Sequence, residues 1–287
     1  MIKQVVVTDA WYEHDGKLLL NPALQAYEHH LLKMKQSWAK NMVVTPLSWY
    51  AQQGKQPVAA LLAAIAQGLP AGAKQYWVAS PFHARLTRTS LRVMPEAMLD
   101  WSAQEGQQVC AAVNPLLAED GLELFMVGDV LMLAAQDVWQ VDMPDFAQVS
   151  GQSLPNQHQG SKDVGRWLRI ITEIQMSLHQ HQVFSKEGMQ IHGLWFWGQS
   201  ETVADMHDLT LPHVATRNIY LNTVLKALDK QQHASVIVSE AEFLPYLLPT
   251  QLPNDWLLLG AGQAVTLRSH GLTAALAKVK KPTWKGM

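Results

Sequence analysis

Three of the chain's seven arginines, Arg85, Arg88 and Arg92, fall within eight residues, and His83 stands beside them. Guanidinium groups grip phosphate or carboxylate bidentately. Residues 80–92 are therefore the leading candidate for binding an anion, weighed against the plainer reading of a solvated basic face. A second grouping is Glu173 with Gln175, a carboxylate and an amide that can orient a polar ligand or act as base and positioner. The plainer reading pairs Glu173 with Arg169 four residues earlier and gives Gln175 to a neighbouring backbone group. It is preferred because no nucleophile or second carboxylate stands beside them. His179 and His181 flank Gln180; on a continuous helix, residues two apart point about 200° apart, so they share no metal unless the helix ends near His179. His179 is kept as a catalytic candidate, while adjacent His29 and His30 meet the same geometric objection. Trp195 and Trp197 alternate onto one strand face, where they either wall a ligand or fill a core; packing is the default.

Composition narrows what these residues can serve. Of 287 residues, 48% are hydrophobic and 16% charged, against about 25% charged in typical globular proteins. The 26 glutamines outnumber the 24 Asp plus Glu, so amides supply much of the polar surface, and 11 of the 23 aromatics are Trp. Such hydrophobicity excludes a disordered chain, and a net charge of -2 argues against general nucleic-acid binding. A single cysteine, Cys110, excludes a disulfide framework and a Cys-based zinc site. The N-terminal apolar run is too short for a signal peptide, and residues 58–65 fall far below the roughly 20 residues of a membrane span. With one free thiol, these features predict a cytoplasmic protein with no membrane association.

The elements that must position the candidates follow from periodicity. Residues 2–8 read as a Val-rich strand, and Asn21-Pro22 opens a helix with Leu24, Tyr27, Leu31 and Met34 on one stripe. Residues 58–66 form an Ala/Leu helix and 75–79 a strand; 102–118 form a helix through Val109, Val113 and Leu117. Two apolar runs around Gly128-Asp129 predict a hairpin. The polar, breaker-rich residues 150–162 read as a linker or mobile loop. Ser161 then caps a helix over 163–179, its buried stripe drawn through Val164, Trp167, Leu168, Ile171, Ile174 and Leu178. Residues 191–198 are apolar on both strand faces, which predicts a central strand covered on each side. A helix over 214–228 and strands at 235–238 and 256–259 follow, the last turned back by Gly260-Ala261-Gly262 into 264–268. The basic C-terminus of Lys278, Lys280, Lys281 and Lys285 reads as a solvated tail.

One block is distinctive: Trp167-Leu168, Thr172-Glu173-Ile174-Gln175-Met176, Leu178-His179-Gln180-His181 and Leu194-Trp195-Phe196-Trp197-Gly198. With Ser80-Pro81-Phe82-His83, Arg88 and Leu91-Arg92-Val93, it resembles the bacterial family described as RpfE-type regulatory or cofactor-independent phosphoglycerate mutase-like proteins. The resemblance spans roughly residues 75 to 200, and the chain departs from the family pattern at Gln182, Phe184, His192 and Gln199. It implies a degenerate alkaline-phosphatase-like fold, in which an Asp after the first strand holds a metal, the place Asp9 occupies. A two-metal phosphotransferase also needs a hydroxyl nucleophile and further Asp/His ligands; no Gly-flanked Ser or Thr and no late Asp/His pair are found, so a turn or cap role for Asp9 is preferred.

The sequence thus predicts an α/β protein, a layered mixed sheet flanked by helices, with an N-terminal α/β portion (1–149), the linker (150–162) and a C-terminal portion (163–287) completing the same core. The leading functional reading is a non-catalytic or catalytically degenerate mutase-like protein that binds a small anion or a protein partner, with a regulatory role open. The ligand residues are His83, Arg85, Arg88, Glu173 and Gln175, and the catalytic candidates Asp9, Glu173 and His179. No metal or other cofactor is predicted under this reading. The alternatives are a divalent-metal-dependent phosphomutase or phosphatase acting on a small phosphate ester, and a structural or assembly protein. Homo-oligomerisation is left open by all three.

Overall fold

The computed structural model of the chain describes residues 2–40, 47, 49, 51, 55–86, 90–94, 98–153, 162–205, 211–215, 219–227, 233–269 and 283–284. By internal contact the chain divides into two compact units: residues 1–49, 210–221 and 228–287 in the first, and 50–209 with 222–227 in the second. In chain order the elements are β1 (Gln4–Val7), β2 (Trp11–His14), β3 (Lys17–Leu20), α1 (Gln25–Leu31), β4 (Lys35–Lys40), α2 (Val58–Ala64) and β5 (Gln75–Phe82). Next come β6 (Ala84–Leu86), β7 (Leu91–Val93), α3 (Ala103–Leu117), β8 (Leu122–Val127), β9 (Val130–Ala135), α4 (Val164–His181) and β10 (Gly193–Ser200). The last are β11 (Leu211–Ala215), α5 (Ile219–Ala227), β12 (His233–Ser239), β13 (Asp255–Gly260) and β14 (Gln263–Arg268). The class is α/β with a mixed sheet.

That mixed sheet belongs to the first unit, with strand order β11-β12-β1-β13-β14-β4. The first four strands run parallel; β14 pairs antiparallel with β13, and β4 pairs antiparallel with β14. Parallel strands covered on both faces read as unbroken apolar runs, and Val5, Val6 and Val7 of β1 are fully buried. Leu24 and Leu31 pack with Trp256, Leu258, Val265 and Leu267 into one core. The β13–β14 hairpin turns through Ala261 and Gly262, both at positive φ, the conformation a two-residue turn of type I′ requires. Gly260 is needed for another reason: a Cβ there would stand 2.5 Å from the Trp11 carbonyl oxygen and 2.8 Å from its nitrogen.

The second unit holds a four-stranded antiparallel sheet, β10-β5-β9-β8. Helix α4 buries Trp167, Ile170, Ile174 and Leu178, and Trp167 meets Trp77, Trp139 and Phe196 at ring-centroid distances of 5.2, 5.5 and 5.2 Å. Two neutral amides act as backbone clips here. Gln75 donates to the Trp139 carbonyl and accepts from its N–H (3.2 and 2.7 Å), and Asn114 does the same for Leu124 (2.9 and 2.7 Å) on the edge strand β8.

Several expectations are corrected. Strand β10 is not central; it lies at the edge of its sheet and pairs with β5. Leu194, Trp195, Phe196 and Trp197 are nonetheless buried, because α2 and α4 pack against the strand. Leu168 is 42% exposed and Ile170 takes its place in the buried stripe of α4; the 3-4-4 spacing from Trp167 to Leu178 turns Leu168 to solvent. Val214 and Ala215 belong not to a helix but to β11, which pairs parallel with β12 at the sheet edge, a position that tolerates Pro212. The proposed cap Ser161, most of the 150–162 loop and the lysine-rich tail lie outside the described residues.

Candidate anion-binding site

In the second unit, β5 and β10 pair antiparallel with Phe82 opposite Gly193. The next position in that register sets His83 against His192, and their rings stand 4.5 Å apart, tilted by 42°. Gly193 keeps the end of β10 open: a Cβ there would lie 2.5 Å from Phe82 Cζ and 3.2 Å from Gln175 Cγ, so Gln175 of α4 reaches this corner. His179, in the last turn of α4, has Nδ1 3.4 Å from the Gln190 side-chain nitrogen. Three histidines and Gln175 thus gather around residues 190–193.

The hydrogen bonds fix the tautomers. A backbone N–H only donates, so the 3.0 Å bond from Ala84 N makes His192 Nδ1 an unprotonated acceptor. A carbonyl only accepts, so the 2.8 Å contact to Gln190 O makes His83 Nδ1 the donor. Neutral His83 therefore keeps its lone pair at Nε2. Burial pushes His192 below the ordinary imidazole value, and the nearby His83 and His179 push it further.

Just beyond His83 the chain forms the β6–β7 ribbon, where Arg85 lies directly opposite Arg92. Both are exposed, while the preceding pair, Ala84 and Val93, is buried. Arg92 Nε donates to Gly151 O at 2.9 Å, which holds one edge of its guanidinium. Ion pairs of arginine among the described residues involve Arg166 and Arg169, not Arg85 or Arg92. Like charges directly opposite on a ribbon repel, and an oxyanion between them removes the repulsion and gains charge-assisted hydrogen bonds. Arg88 lies outside the described residues.

Other predicted residues go elsewhere. Glu173 takes both hydrogen bonds of Arg169 Nη1 at 3.0 Å, and the Nη2 of the same arginine grips Asp120 at 2.7 and 2.9 Å. Arg166 joins Asp120 at 2.8 Å and lies 4.1 Å over the Trp139 ring. His181 bonds back to the Ser177 carbonyl at 2.9 Å. In the first unit, Asp9 follows the carboxyl end of β1, the side on which parallel sheets collect ligands. Its carboxylate, however, accepts Ala241 N–H at 2.6 Å and the Asn21 amide at 3.1 Å, tying two turns together. Burial pushes the Asp9 carboxyl up, and the Ala241 bond pulls it part of the way back. Among the described residues, no group of three or more His, Cys, Asp or Glu is placed to hold a metal ion.

Residue-type reasoning missed His192 and Gln190 as members of the histidine corner. His83 reaches them across 107 to 109 positions, so no local spacing reveals them. The one signal was His192 itself, standing next to the Trp-rich strand.

No family model and no curated protein matches the chain. Among solved structures it is distantly similar to a cofactor-independent phosphoglycerate mutase from Thermoplasma acidophilum DSM 1728, with a TM-score of 0.34 and 9% identity over 97% of this chain and 95% of that one. A protein from Pyrococcus horikoshii gives a TM-score of 0.38 and 10% identity over 94% and 88%.

Proposed function

We propose that this chain is a non-catalytic binding protein for a small oxyanion, taken up on the Arg85–Arg92 face of the β6–β7 ribbon next to the His83–His192 pair. The observation that carries the reading is the register that sets two exposed arginines opposite each other. A ligand with two or more anionic oxygens bridges both guanidinium groups. A working phosphotransferase is less well supported, because the Asp9 carboxylate already serves two turns and Glu173 is occupied by Arg169. The mutase-like resemblance makes phosphate the first oxyanion to try.

Thermal unfolding with and without millimolar inorganic phosphate tests the reading. Phosphate raises the melting temperature of the wild type, and the Arg85→Ala/Arg92→Ala double variant loses most of that rise. Equal shifts in the two proteins would remove the site.

A further inference from the structure

The ribbon that carries Arg85 and Arg92 also carries an acceptor. Its ladder runs one rung beyond β6 and β7, because Met94 N–H donates to the His83 carbonyl at 2.8 Å. The rungs are thus His83–Met94, Ala84–Val93 and Arg85–Arg92. Side chains alternate between the two faces of a strand. Ala84 and Val93 are buried, so His83 falls on the same outward face as Arg85 and Arg92, two positions along. The ring is also fixed on that face. Successive main-chain carbonyls of a strand point to opposite edges: the Phe82 carbonyl accepts His192 N–H from the β10 side, and the His83 carbonyl accepts Met94 N–H from the β7 side. His83 Nδ1 donates to Gln190 O at 2.8 Å, on the β10 side. Nε2 stands across the ring from Nδ1, so its lone pair is directed away from β10, towards the edge along which β7 and Arg92 run. No described residue donates to it.

Two guanidinium groups donate to any oxyanion. A lone pair beside them discriminates, because it repels a bare anionic oxygen and accepts a hydrogen bond from one that carries a proton. Hydrogenphosphate and sulfate are both tetrahedral dianions at pH 8, and they differ by one P–OH. A phosphate monoester dianion has lost that proton as well. A repulsive element set among attractive ones is how a site separates ligands of equal shape and charge.

Resting on the oxyanion site described above, we propose that His83 Nε2 accepts the P–OH of a hydrogenphosphate held by Arg85 and Arg92, so that the site selects inorganic phosphate over sulfate and over phosphate monoesters. Calorimetric titration of the full-length protein at pH 8 with inorganic phosphate, sulfate and methyl phosphate is the test. Phosphate binds the wild type at least tenfold more tightly than either of the others. His83→Phe keeps a flat ring against His192 and has no lone pair; its phosphate-to-sulfate preference falls below about threefold, because phosphate binds less tightly and sulfate is no longer repelled. If His83→Phe does not fold, His83→Asn replaces it, since the Asn amide can still donate to Gln190 O and nothing stands in for Nε2. Equal affinity of the wild type for phosphate and sulfate overturns the selectivity and leaves the Arg85–Arg92 site standing. A preference that survives intact in the folded variant overturns the assignment to His83. If the wild type binds none of the three anions, the oxyanion site itself falls and the selectivity falls with it.

Discussion

His192 holds an unprotonated Nδ1 against the Ala84 N–H, so adding a proton there breaks the bond that joins the β5–β6 junction to the start of β10. Burial, with help from His83 and His179, lowers its pKa from the ordinary 6.5. Between the folded value and 6.5 the unfolded chain therefore binds more protons than the folded one, and stability rises with pH. The contribution is complete above about pH 6.5 and is lost as pH falls through the folded value. His192→Asn keeps an oxygen acceptor for Ala84 and cannot titrate. Urea midpoints of the wild type should fall between pH 7.5 and 5, and those of the variant should fall less. His30, also lowered by burial, titrates in both proteins and cancels in the comparison. Parallel profiles would show that His192 is not the group responsible.

Helix α4 is held to the sheet by its aromatic stripe and, at the surface, by Asp120, which takes hydrogen bonds from Arg166 and Arg169 together. Partial burial raises the Asp120 carboxyl, but the two guanidinium groups together outweigh it, so it titrates below the ordinary 3.8. Its stabilisation is thus present above that value and lost as pH falls through the folded one. Asp120→Asn keeps the shape and removes the charge; the expected cost is about 1–2 kcal/mol at low salt and clearly less in 1 M salt, read from urea unfolding. A cost unchanged by salt would mean that packing, not charge, is what Asp120 contributes. The same helix shows what the sequence made legible. The Arg169–Glu173 pair was readable because both partners sit one turn apart, as was the stripe through Trp167, Ile174 and Leu178. Asp120 was not, since it comes from 46 to 49 positions away. Strand β10 was misplaced for a related reason: apolarity on both faces records what covers a strand, whereas its rank in the sheet depends on which partners fold beside it. His83, Arg85 and Gln175 could be nominated by residue type, but the corner that gathers His83 and Gln175 exists only once β5 pairs with β10.

Across the whole molecule, the shortage of charge acquires a structural counterpart. Where another protein would use ions, this one uses amides as internal clips, Gln75 on Trp139, Asn114 on Leu124 and Gln199 on Val141. Indole N–H groups add to them, from Trp195 to Pro144 O and from Trp197 to Ser80 Oγ. These links are neutral, so they pay no ionic desolvation cost on burial. They also fall within a unit whose chain is nearly continuous. The second unit is residues 50–209 with 222–227, whereas the first is assembled from three separate stretches. Its own sheet, its Trp77–Trp139–Trp167–Phe196 cluster and its clips all lie inside residues 50–209. A fragment of residues 50–227 therefore contains every residue of that unit, while the first unit is spread over stretches on both sides of it. The fragment should unfold in one cooperative urea transition followed by Trp fluorescence, with near-native emission before it. Replacing Gln75 by Leu, similar in size but unable to bond Trp139, strands that buried N–H and carbonyl; the transition should move to lower urea by about 1–3 kcal/mol. A fragment with no cooperative transition would show that the second unit depends on the rest of the chain for its stability.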